Sequence, residues 1–342
     1  MTVSANPTSK FENELKPAPG TEPARPKKHF SWIEPRFAAI WAALGLMLVL
    51  NGIFLPRSVD LTTILSILPL AAFLTIAAIG QSLVIMSRGI DLSVPAIVSL
   101  SSAVLLGVSD GSNDRLWLGI GAAIVVAMLA GTVSGSLIAV LRLNALIVTL
   151  AVGSIVTGIG IWYRQNAVAE SMVPAPLAEF ASDRFLNIPV SVWLATIFVI
   201  GLSIILRKTI IGRRFELIGT SPSAAHLIGV SVRLYQASAY VVAAALYGVM
   251  AVLLSGFIRN PTLDVGSPYL LAPIAASVLG GTAISGGIGN FISVFGAAIF
   301  LTQLDQSLKM LGMPTAWQMM IQGLAIAFGM YISEMSSRRR IG

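Results

Sequence analysis

Cysteine is absent from the chain, which excludes disulfides, thiolate catalysis and iron–sulfur clusters. Histidine occurs twice, at His29 and His226, and neither is close to a carboxylate in sequence, so no metal site is expected. Charge is scarce: 11% of residues are charged, against about a quarter in ordinary soluble domains. The chain contains no Gly-x-x-x-x-Gly-Lys-Ser/Thr loop for holding ATP phosphates, no His-Glu-x-x-His and no Gly-x-Ser-x-Gly. A Ser–Lys intramembrane protease would need a lysine inside a span, and none is there. These absences argue against an enzyme and against a cofactor held by this chain.

Apolar sequence is abundant. Apolar residues make up 56% of the chain and the mean hydropathy is +0.85. Runs long enough to cross a bilayer recur, predicting an all-α polytopic membrane protein of about ten transmembrane helices. They fall near 37–55, 61–86, 94–108, 116–141, 145–163, 190–206, 237–257, 269–283, 291–304 and 317–332. Residues 1–30 are polar and rich in Pro, Lys and Glu, and read as a disordered cytoplasmic tail. Residues 31–335 form the transmembrane domain, and 336–342 a basic cytoplasmic tail.

The net charge of +7 fits positive-inside topology better than nucleic-acid binding. With both termini inside, Lys10, Arg88, Arg142, Arg207, Lys208, Arg213, Arg214, Arg233 and Arg338 to Arg340 fall on the cytoplasmic side. The outer loops hold only Arg57, Arg115, Arg164, Arg184, Arg259 and Lys309. Lipid is therefore an expected partner and nucleic acid is not.

The segments 94–108, 269–283 and 291–304 are about 15 residues each and reach roughly 22 Å, against a hydrocarbon core of ~30 Å. They either extend into flanking polar residues or are broken helices around a cavity. The outer connection from Arg164 to Pro189, with Pro174 and Pro176, is either a plain loop or carries a short surface helix facing an external protein.

The polar island Arg207 to Gln236 stands out between apolar runs. Ser221 can cap a helix, Pro222 suits its first position and Gly229 can close it, predicting one short helix over Pro222 to Ile228. Such a helix is too short to be stable alone and needs a surface to dock on. Ser87-Arg-Gly-Ile-Asp-Leu-Ser-Val-Pro95 lies between two spans; Asp91 or Ser93 can cap the next helix and Gly89 permits a sharp turn. The tract reads as a structural cap or as a pathway hinge with Arg88 paired to Asp91. Gly280 to Gly289 reads as a packed hinge, with Gly280, Gly281, Gly286 and Gly287 as its flexible points. Gly131-Thr-Val-Ser-Gly135 fits a small-residue packing face. Gln81, Asn144, Thr149, Ser154, Thr157, Gln303 and Gln322 are neutral polar groups in or beside spans; they suit an uncharged polyhydroxylated solute, or structural hydrogen bonds between helices.

Together these tracts resemble the permease subunits of bacterial ABC importers for ribose and related sugars. The resemblance covers about residues 60–335 and rests on Ser87 to Val94, Ala145 to Gly153, Gly212 to Val230 and Ala275 to Gly289. It implies an inner-membrane subunit paired with a second permease copy, a separate ATPase carrying ATP and magnesium, and a periplasmic solute-binding protein. Glu216, Gly219, Ser221, Pro222, Ala224, Ala225, His226 and Gly229 would then form the ATPase-coupling segment. Gln81, Gly89, Asp91, Ser93, Asn144, Thr149 and the four hinge glycines would belong to the pathway. The chain departs from the family at Tyr269 to Ala276, where two carboxylates often found there are missing. Branched-chain amino acids or nucleosides are alternative solutes, and an ion-coupled secondary carrier is the alternative mechanism.

Overall fold

The structure, a computed structural model, describes residues 35–167 and 172–314 and scattered positions between 316 and 327. The two expected tails and most of the tenth expected span lie outside the described residues. The helices are α1 (Pro35–Phe54), α2 (Leu61–Met86), α3 (Val94–Ser109), α4 (Leu116–Ala139), α5 (Ala145–Ala167) and α6 (Ala175–Ser182). A two-residue hairpin pairs β1 (Arg184–Phe185) with β2 (Ile188–Pro189) in antiparallel register. There follow α7 (Val190–Lys208), α8 (Ile210–Thr220), α9 (Pro222–Leu227), α10 (Val232–Ile258), α11 (Ala272–Leu279) and α12 (Phe291–Met310).

Among the described residues, seven helices are long and apolar enough to cross a membrane: α1, α2, α4, α5, α7, α10 and α12. The short segments divide three ways. The expected 291–304 continues through polar residues to Met310 and reaches full length. The expected 269–283 is broken into a 3₁₀ turn at Ser267–Tyr269 and the eight-residue α11. The third, α3, stays at 16 residues.

α10 is the central helix, with Tyr240, Ala243, Ala244, Tyr247, Met250 and Ala251 buried between α2 and α4. The Gly131–Gly135 face of α4 makes that approach possible. A methyl at Gly131 would lie 2.6 Å from the Tyr240 carbonyl oxygen, and one at Gly135 2.7 Å from that of Ala237. Without side chains there, the two backbones pack at a distance that maximises dispersion contact, the main attraction available between helices in lipid. The connection from Arg164 to Pro189 does carry a helix: α6 lies on α10, with Leu177 and Ala181 seated over Gly256.

Candidate functional site

The polar island holds two helices, where one was expected. The sequence reading missed α8, an amphipathic helix capped by Thr209, whose hydroxyl accepts the Gly212 N–H at 3.3 Å. Phe215, Ile218 and Gly219 form its buried face. α9 follows as expected over Pro222–Leu227, with Ile228 as its C-cap. The Ser221 hydroxyl accepts the Ala224 N–H at 3.3 Å, and Gly229 closes the helix with φ +78°. Val230 N–H reaches back to the Ala225 carbonyl at 3.0 Å, tying up the last turn. Ala225 faces inward, whereas Leu227 is 86% and Ile228 68% exposed. Beside α9 an open cavity of about 740 Å³ is lined by Arg88, Arg142, Arg233, His226 and Gln236, with no carboxylate among its lining residues.

The turn between α8 and α9 is where three separate tracts meet. Gly219 is so close to Met86 and Gly287 that an added methyl would collide with the backbone of both. Gly286 (φ +93°) and Gly287 (φ +83°) hold left-handed conformations that favour glycine, and Gly287 N–H donates to the Met86 carbonyl at 2.9 Å. Gly287 also packs on the Thr220 N–H and the Glu216 carbonyl. Burial pushes the Glu216 carboxyl above the usual carboxylate range, with the Arg207 charge pulling the other way. Gly280 and Gly281 sit at the far end of the same loop, Gly280 within 2.6 Å of the Val294 backbone if given a methyl.

Residues 87–93 corrected one expectation. Arg88 does not pair with Asp91. Its Nε donates to the Gly219 carbonyl and its Nη2 to the Thr220 carbonyl, both at 2.7 Å. Asp91 is buried and turns the other way, its Oδ1 accepting the Ser93 N–H at 2.9 Å and the Ser93 hydroxyl. Ser93 occupies the cap position of α3 but makes no capping bond itself. Non-helical backbone inside a bundle must find partners within the protein, and here side chains supply them. One orientation of the Gln81 amide satisfies both of its ends: its nitrogen donates to the Asp91 carbonyl and the Tyr247 hydroxyl, and its oxygen accepts the Asp91 N–H at 3.1 Å. The Thr149 hydroxyl accepts the Leu92 N–H at 3.2 Å. Gly89 lies under the Tyr240 hydroxyl with no room for a side chain.

This arrangement explains the shortness of α3. Ser93 lies against Gly153 and Leu100 against Gly160 of α5. α3 therefore starts two turns, about 12 Å, along α5 from Ala145, inside the bundle rather than at its edge. From the other end, the connection from α10 to α11 dips in to meet it: Gly266 packs on the Pro95 carbonyl, and its N–H donates to the Ser99 hydroxyl at 3.1 Å. Where the two breaks meet, a cavity of about 240 Å³ is lined by Pro95, Ser99, Thr157, Arg164, Thr262, Asp264 and Ser267, among others. Interrupted helices that meet inside a bundle are a recurrent way to build a polar site in a membrane protein.

The family model described as "Branched-chain amino acid transport system / permease component" matches residues 63–329. The chain belongs to this permease family. It is similar to the autoinducer 2 import system permease protein LsrC of Photorhabdus luminescens, 31% identical over 291 residues that cover 84% of this chain and 85% of that protein. It is also similar to LsrC of Shigella flexneri and of Escherichia coli (strain K12 / DH10B), each 32% identical over 287 residues, covering 83% of this chain and 82% of the relative. No solved structure matches the chain. The permease is thus a non-enzymatic membrane subunit of a bacterial ABC importer, resident in the inner membrane. ATP is used on a separate subunit.

The permease brings Glu216, Gly219, Ser221, Gly286 and Gly287 together around one turn, although two tracts about 65 residues apart supply them. Pro222, Ala224, Ala225 and His226 lie on α9 itself. Gln81, Gly89, Asp91, Ser93 and Thr149 form one buried network within the bundle. Asn144 stands apart: its Oδ1 accepts the Leu146 N–H at 2.9 Å, so it caps the start of α5. Ser99, Arg164, Asp264 and Ser267 were not among the expected site residues. The Pro261 to Pro268 stretch between two spans was the available signal, because two prolines and a glycine there exclude a simple helical continuation.

Proposed function

We propose that the permease imports a monosaccharide or a similarly small, polar, uncharged solute. The observation that carries this reading is the cavity between the two helix breaks. Its polar lining is hydroxyl-rich, from Ser99, Thr157, Thr262 and Ser267, and its two charged groups, Arg164 and Asp264, are of opposite sign. A neutral polyol offers donors and acceptors to match such a wall, whereas an ion would meet no net charge. The similarity to autoinducer 2 import permeases points the same way. The family description keeps branched-chain amino acids as the competing solute class.

The solute path runs along α5, whose exposed face carries Ser154, Thr157 and Gln165 in a helix otherwise fit for lipid. A second copy of the permease covers that face and completes the path, giving a homodimer. α9 docks on the ATPase, presenting Leu227 and Ile228 to an apolar groove, and α6 offers a landing surface to a periplasmic binding protein. The full complement is ten spans with both termini inside. In support, Arg88, Arg142 and Arg233, from three separate connections, line one cavity beside α9.

The test is co-purification with the ATPase, comparing the intact chain with one lacking residues 221–229, followed by uptake in proteoliposomes. Ribose, autoinducer 2, leucine and adenosine would be offered through their binding proteins. ATPase retained only by the intact chain, with uptake of the sugar-like solutes alone, supports the reading. Leucine uptake without sugar uptake overturns the solute assignment.

A further inference from the structure

We infer that Arg88 is a positioning residue that carries movement of α9 into the membrane-embedded part of the permease. The inference rests on the reading of α9 as the ATPase-docking helix and adds the connection beyond it. The Arg88 guanidinium forks onto the Gly219 and Thr220 carbonyls, the last two of α8 before the Ser221 cap that starts α9. A cation on the carbonyl end of a helix is favoured by the helix dipole, and a forked pair of charge-assisted bonds fixes direction as well as distance. Its partners are neutral carbonyls, and the other charged or titratable side chains lining its cavity, Arg142, Arg233 and His226, are basic. No neighbouring carboxylate in that lining competes for the guanidinium.

The backbone of the same residue begins the break between α2 and α3. Arg88 has φ +69°, a conformation rarely adopted by a side-chain-bearing residue, and it persists because both flanks are held. On one flank the Met86 carbonyl is bound by Gly287 N–H. On the other, Gln81 holds both backbone groups of Asp91, and Thr149 of α5 holds Leu92. The segment then ends at Ser93 and Pro95, beside the cavity between the helix breaks. It is a short strut whose backbone is tied to α2 through Gln81 and to α5 through Thr149.

At the α9 end, the strut has two attachments of different kinds. Gly219 meets the backbone of Met86 and Gly287 by close packing, a contact that can slide or pivot but cannot pull, and the Gly287 N–H bond to Met86 ties in the glycine-rich loop and not the α8–α9 turn. Arg88 supplies the tie. When α9 is displaced, the fork draws residues 88–93 with it, and Thr149 and the start of α3 follow.

The experiment compares wild type with Arg88→Gln and Arg88→Lys in proteoliposomes containing the ATPase, reading three quantities: ATPase co-purification, ATP hydrolysis, and solute taken up per ATP. For R88Q we expect ATPase binding retained, hydrolysis continuing, and uptake per ATP reduced at least about tenfold, the scale of losing one charge-assisted hydrogen bond. R88K keeps the charge but cannot fork, and falls between. A purely structural role would lower assembly and thermal stability together and leave the uptake-to-hydrolysis ratio unchanged. A ratio within about twofold of wild type in folded R88Q overturns the inference. Should R88Q fail to insert, R88K carries the same comparison, and an unchanged ratio there overturns it equally. Failure of the wild type to retain the ATPase would instead refute the docking role of α9.

Discussion

Replacing Gly219 by alanine isolates the packing of the α8–α9 turn from every other feature of the site. In an ordinary helix the change would stabilise, because alanine is favoured over glycine by about 0.8–1 kcal/mol. Here the new methyl has no space: it would run into the Met86 carbonyl oxygen and the Gly287 backbone. Backbone cannot swing aside as a side-chain tip can, and small-to-large changes in such places cost about 1–3 kcal/mol, occasionally more. The clash therefore outweighs the propensity gain, and the turn must open. Gly121, on the exposed face of α4 with nothing within 4 Å, is the matched control. Gly121→Ala gains propensity without a clash. Thermal melting in mild detergent should thus move in opposite directions, down for Gly219→Ala and level or up for Gly121→Ala. ATPase co-purification should fall only for the first. A Gly219→Ala permease that melts at or above wild type and keeps its ATPase would refute the packing account.

Ser221→Ala removes the cap of α9 at about 1 kcal/mol and should weaken ATPase binding about fivefold, while Ser221→Asp, which can still cap, should preserve it; pull-down titration decides. Gly229→Val should disrupt the end of α9 more than Gly229→Asn, because the site has open space but a left-handed backbone that β-branched residues resist; uptake per ATP is the readout. Gln81→Leu orphans the Asp91 N–H and carbonyl, each costing about 1–3 kcal/mol, and should lower the melting temperature sharply. Glu216→Gln should stabilise the protein at neutral and alkaline pH, since burial disfavours the ionised carboxylate and raises its titration range. The gain should fade as pH falls through that range and both forms become neutral, which melting curves across pH would show.

Much of the fold was legible because lipid imposes a simple rule: apolar runs must be helices that satisfy their own backbone. The ends of α2, α4, α5 and α10 follow from that rule to within a few residues. α9 was equally legible, since its cap, its first-turn proline and its closing glycine are all local signals. α8 was not recognised because its amphipathic stripe is short and lies among charged residues.

What sequence alone determined was the class of protein, the approximate bounds of most long spans, the site of α9 and the places where glycine was needed. What only the tertiary structure decided was which of those places touch. Arg88 and Asp91 are three positions apart, and proximity in sequence suggested an ion pair. The left-handed turn at Arg88 and the carbonyl end of α8 send the two side chains to different partners: the guanidinium meets the two carbonyls that end α8, and the Asp91 carboxylate is turned inward to Ser93. Likewise the shortness of α3 was visible, but its cause was not. Only packing against Gly153 and Gly160 shows that the helix begins inside the bundle, where a polar break is stable because side chains from α2 and α5 complete its hydrogen bonds.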